Sequence, residues 1–186
     1  LLGEYAAGLV TPDETDGEYT LGLGIFPPSA DGPAEHYHPS YDETFEVVEG
    51  EFSIEVDGES QLVSAGESVT VEAGIPHTFS NESDTYASCI IEARPAARLS
   101  EVVHLLFGLA HDGKLAESGQ PSFFQAMVMT EEFSDDTVFT SPPPAVLKVL
   151  ATIFAPIGRL MGYQAEYQKY NDDDFWKTHV EQPPER

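Results

Sequence analysis

The chain has 186 residues with 33 Asp and Glu against 8 Lys and Arg, a formal charge of −25. So acidic a surface repels nucleic acid and anionic membranes, which excludes both as partners. The excess is spread along the whole chain, and lysine occurs only at Lys114, Lys148, Lys169 and Lys177; this is the composition of a protein that works in concentrated salt, where self-repulsion is screened, so a halophilic source is expected.

A single cysteine, Cys89, rules out a disulfide framework within the chain. No signal-peptide pattern is visible, and a cytoplasmic location is expected. The chain opens at Leu1 without a methionine, so further residues upstream are also expected.

Residues 1 to about 94 read as strands. Tyr19 to Ile25 alternates apolar with small or polar residues, as a half-buried strand does. Thr44–Val48 leads into Phe52–Val56, which alternates cleanly. Asp57-Gly58 then marks a hairpin, with Gln61–Val63 as the return strand. Ser68–Glu72 alternates again, and Tyr86–Arg94 is a last apolar strand. Many short strands separated by turns imply a sandwich or barrel.

After Pro95 the period changes. Leu99, Val102, Val103, Leu106, Leu109 and Ala110 fall at helical spacing, with Ser100 as the expected N-cap and Asp112-Gly113 as the stop. A second helix is expected from near Pro121, carrying Phe124, Met127 and Val128. A third starts at Ser141-Pro142 and runs to about Met161, with Pro156 expected to kink or end it. Its apolar stretch is interrupted by Lys148, Pro156 and Arg159 and falls short of the ~20 clean residues of a membrane span. It is expected to pack on the barrel or on a second subunit, giving a homodimer that forms more readily in salt. From Asn171 the sequence is polar and reads as a loose tail. The expected organisation is a β-barrel over 1–95 and a helical extension over 96–186.

The chemistry concentrates in His36-Tyr37-His38, followed by Glu43 after four intervening residues and Gly50 after six more. In a strand, His36 and His38 face the same way. Further along stand Gly66, Gly74, His77 and Asn81. This pattern resembles the two motifs of the cupin superfamily. The first motif is matched by His36, His38, Glu43 and Gly50, the second by Gly66, Gly74, His77 and Asn81. Glu72 stands where the family usually has proline, and the glycine ahead of the first histidine is displaced, with Gly32 the nearest. The resemblance covers about residues 18 to 94.

It implies a mainly β fold, a double-stranded β-helix or jelly-roll barrel, with two or three C-terminal helices packed on it. It also implies that His36, His38, Glu43 and His77 bind one divalent transition metal. Three imidazoles and a carboxylate suit Fe, Mn, Ni, Cu or Zn. With four protein ligands an octahedral ion keeps open positions, as catalytic sites do. Glu43 is then the candidate catalytic residue, either ligated or acting as a base. Phe45, Phe79 and Cys89 are candidate substrate-binding residues, and Glu46 a further lining residue. The reading is an oxygenase-like enzyme acting on a small organic molecule; a small-molecule-binding cupin without turnover and a sugar isomerase are the alternatives. His104, His111 and His179 read as structural.

Overall fold

A computed structural model describes residues 3–179. Ten strands precede or interleave with the helices: β1 (Tyr5–Val10), β2 (Thr20–Phe26), β3 (His36–Tyr37), β4 (Asp42–Glu49), β5 (Glu51–Val56), β6 (Glu59–Ser64), β7 (Ser68–Val71), β8 (His77–Ser80), β9 (Ala87–Arg94) and β10 (Val138–Phe139). They form two antiparallel five-stranded sheets, ordered β1-β2-β9-β4-β7 and β10-β3-β8-β5-β6. Strands far apart in sequence are neighbours in both, which is the crossed connectivity of a jelly-roll barrel.

Alternation decides which side chains enter the barrel. On β4 the inward set is Glu43, Phe45 and Val47, all buried, while Glu46 is exposed. Glu46 therefore does not line the interior. Val71, Ala87 and Cys89 on the flanking strands point to the same side, Phe52, Ile54, Val63 and Phe79 come from the other sheet, and together these residues make the barrel core. The turn at Asp57 and Gly58 joins β5 to β6 with both residues at positive φ, 52° and 79°, which matches the twist of a tight hairpin. Gly50 turns β4 into β5 at φ 76°, and a Cβ there would lie 2.9 Å from Cβ of Ala87.

The extension holds three long helices and a short fourth: α1 (Leu99–His111), α2 (Phe123–Glu132), α3 (Pro144–Leu160) and α4 (Asp173–His179). The first starts earlier than its capping signal implied: Arg98 is the N-cap, and Ser100 lies inside the first turn. Ser122 caps α2, its hydroxyl accepting from the Gln125 amide. Pro156 does not end α3, which continues to Leu160. Leu105 and Leu109 of α1 pack with Phe133 and Tyr170 into a second small core. Gly108 admits the Tyr170 ring, since a Cβ there would sit 2.4 Å from it. Part of the stretch read as a loose tail is thus ordered by Tyr170 and α4; residues 180–186 lie outside those described. No helix among the described residues is long and apolar enough to cross a membrane.

Candidate metal centre

The two sheets deliver the histidines and the carboxylate from opposite sides. His36 on β3 is the direct cross-strand partner of His77 on β8, and His38 follows β3 by one residue. Glu43 comes from β4 in the other sheet. All four are buried, none more than 7% exposed. One ligand atom from each lies within 4.8 Å of the others. His36 and His38 do share a face, as their i, i+2 spacing requires: their rings are 4.9 Å apart, and each lies within 5.1 Å of the His77 ring.

Each imidazole is held by its Nδ1. His36 Nδ1 is 2.8 Å from the Ala34 carbonyl, His77 Nδ1 is 3.0 Å from that of Ile75, and His38 Nδ1 is 2.8 Å from that of Asp136. A carbonyl oxygen only accepts, so Nδ1 is the donor in all three rings. The tautomer is thereby set, and Nε2 is the free nitrogen. Glu43 Oε2 stands 2.8 Å from His77 Nε2 and 3.2 Å from His38 Nε2. With Nδ1 protonated, Nε2 of a neutral ring would meet the carboxylate lone pair to lone pair. Either a second proton or a cation must sit there. The residues therefore fit a divalent ion by donor type, burial and tautomer.

Electrostatics follow the same geometry. Burial pulls the Glu43 carboxyl up, but hydrogen bonds from His38 and His77 outweigh it and hold the group at about 2. Burial, reinforced by the His77 and His38 charges, brings His36 down to about 4. Burial also works against protonation of His77, yet its bond to Glu43 prevails and raises it. Burial and the Glu43 charge push the Cys89 thiol up to about 12, so it stays protonated.

The surroundings combine expected and unexpected residues. Phe45 lies 6.1 Å from the His77 ring and 5.2 Å from Phe79, so both phenyl groups sit beneath the histidines in the barrel core, where Cys89 is also buried. Asn81, the last residue of the second motif, serves the loops: its amide donates to the carbonyls of Phe26, Pro27 and Thr85. Tyr41 stacks on His38 at 4.3 Å and 19°, buried within the protein, with burial raising its hydroxyl pKa. Tyr37 is on the opposite side of β3 and pairs in register with Val138.

The extension contributes as well. Residues 134–140 run beside β3 as a strap that adds an edge strand to its sheet. Val138 and Phe139 pair with Tyr37 and His36, and the Thr140 amide donates to the Glu35 carbonyl at 3.1 Å. The Thr140 hydroxyl also donates to the Glu35 carboxylate. Phe139 lies 6.0 Å from the His36 ring, and Ser40 donates to the Asp135 carbonyl. Sequence reasoning missed Asp136 and Phe139. Only the Val138-Phe139 pair ahead of a proline run could have flagged them, and two residues are too few to show a period.

Residues 22–91 match the family described as cupin domain. Among curated proteins, polyketide synthase CurC of Streptomyces cyaneus is 31% identical over 85 residues, which is 46% of this chain and 54% of that protein. Tetracenomycin polyketide synthase protein TcmJ of Streptomyces glaucescens is 30% identical over 71 residues, 38% of this chain and 48% of its own length. The chain thus spans about half the length of the curated relatives it matches. Among solved structures, KdgF from Halomonas sp. aligns with a TM-score of 0.45 at 20% identity, covering 50% of this chain and 79% of that one.

Proposed function

Since residues 22–91 place the chain in the cupin superfamily, we propose that it is a mononuclear metal enzyme whose His36, His38, Glu43 and His77 hold one divalent first-row transition ion. Its substrate is a small enolic or phenolic molecule of polyketide type. The observation that carries the metal reading is the common tautomer: three buried rings, each committed through Nδ1 to a carbonyl, leave three Nε2 atoms beside one carboxylate. The substrate class draws on the two relatives named for polyketide synthases. Such an ion supplies Lewis acidity toward an enol or phenol oxygen and, if it is iron, manganese, nickel or copper, redox access to O2.

The protein residues have distinct tasks in this reading. Ala34, Ile75 and Asp136 carbonyls orient the rings. Glu43 supplies the negative charge that balances the cation, and it stands as a carboxylate, the form that ligates. Phe45 and Phe79, with Cys89 behind them, exclude water from beneath the site. His36 is the most exposed ligand, at 7%, and Phe139 beside it is 37% exposed, so the substrate approaches past Phe139.

Metal analysis by mass spectrometry, on protein purified in high salt, tests this directly. About one equivalent of iron, manganese, nickel or copper, lost in His77→Ala, and O2 uptake with a polyphenol or enolic diketone that the variant lacks, is the expected result. Unchanged turnover in His77→Ala refutes the reading. A binding cupin without turnover is favoured by the near-complete burial of all four residues; a bound metal with no chemistry on any enolic or phenolic probe would select it.

A further inference from the structure

Helix α3 is packed the opposite way round from a helix in a self-sufficient monomer. The buried residues of α3 are small: Ala151, Ala155 and Gly158. Gly158 is pressed so closely to α2 that a Cβ would lie 2.9 Å from Val128. Leu147, Leu150 and Phe154 are half-buried, while the opposite face carries large exposed residues. Val146, Val149, Ile153, Ile157 and Leu160 are 47%, 58%, 53%, 42% and 90% exposed, and Met161 after them is 58% exposed. Their spacings of three and four make one stripe along the helix. This is on the order of 700 Å² of apolar surface with Phe123 beside it, more than monomers usually leave open and close to the ~800 Å² per partner of a standard interface.

Charge singles out the same region. The 29 residues 137–165 contain no Asp or Glu, in a chain that has 33 in 186. At the chain's average density that stretch would hold about five. Two copies at −25 repel wherever acidic surfaces meet; α3 itself brings no carboxylate, and Glu131 and Glu132 beside its end are paired with Arg159. The stripe is also self-complementary: 3-4 spacing packs against the same spacing on a second helix. A two-fold axis brings identical patches together. We propose that a second copy of this chain covers α3, the two helices packing antiparallel with the axis near Ile153.

Light scattering on the full chain at tens of micromolar, from 0.1 to 2 M KCl, tests this alongside Ile153→Glu, with circular dichroism confirming that the variant folds. A wild-type dimer that is at least tenfold tighter at 1 M than at 0.1 M KCl, and a folded Ile153→Glu monomer, are expected. Mild oxidation supplies a second readout, because Cys89 is buried. Ile153→Cys, at the axis, should give a covalent dimer, and Leu160→Cys, away from it, should not. A wild-type monomer at every salt concentration overturns the proposal, as does a dimer that survives Ile153→Glu. Cross-linking of Leu160→Cys but not Ile153→Cys overturns the antiparallel arrangement. Flotation of a monomeric wild type with phosphatidylcholine vesicles would show that lipid is the occupant instead.

Discussion

Within one cluster Glu43 and His36 are shifted toward losing a proton and His77 toward keeping one, and these preferences give the metal-free protein a pH profile. The Glu43 carboxyl lies at about 2 when folded against 4.5 unfolded, so its stabilisation is present above 4.5 and lost as pH falls toward 2. His36 lies at about 4 against 6.5, so protonation favours the unfolded chain as pH drops below 6.5. His77 is raised, so its contribution is full below 6.5 and is lost as pH rises through its folded value. The acid-side losses outweigh the His77 gain: metal-free protein should lose melting temperature steadily from pH 6 to pH 3. Glu43→Gln should flatten the part of that curve below 4.5, by at most about 3 kcal/mol. Thermal melts of chelator-treated protein at constant ionic strength check this, and a flat profile over that range contradicts it. The four ligand candidates were legible because a period of two and fixed motif spacing are side-chain properties. Their carbonyl partners were not, because every residue has a carbonyl, and only the fold says which one arrives.

Among the elements, the strands and helices with a sustained period were readable before the fold was known, as β2, β4, β5 and α1 show. Strand β10 was not. Its two residues are strand formers by type, but two residues show no period, and it is the pairing with β3 that makes them a strand. The start of α1 was misplaced because Arg98 is held there by contacts remote in sequence: its guanidinium lies 4.6 Å over the Phe133 ring and pairs with Glu132 as well as with nearby Glu101. The strap matters to the site through the Asp136 carbonyl on His38. Deleting one residue between Phe133 and Asp136, which shifts the carbonyl that meets His38, should leave the barrel folded and weaken metal binding by roughly 10–100-fold, the usual cost of losing an outer partner of a ligating histidine. Competition with a chromogenic chelator would measure it; unchanged affinity would show that His38 needs no support from outside the barrel.

For the whole molecule, charge is the dominant influence, and no single contact expresses it. The few cations are mostly engaged: Arg94 with Glu18 and Glu92, Arg159 with Glu131 and Glu132, and Lys114 and Lys169 with Asp112. Much of the acid is left to repel itself. Raising KCl from 0.1 to 1 M shortens the screening length from about 10 to about 3 Å, so the melting temperature should climb by several degrees. Scanning calorimetry of Ile153→Glu as well as wild type separates this from association; no rise in either would mean that self-repulsion is not limiting. The pairing of β3 with β10 also bears on how the two halves of the chain can vary. A backbone carbonyl at position 136 is present whichever amino acid stands there, so point changes in the strap are cheap for His38. A residue inserted or removed between Phe133 and Thr140 is another matter, since it shifts which carbonyl meets the imidazole. Descendants of this sequence should therefore drift freely in the identity of that segment while conserving its length.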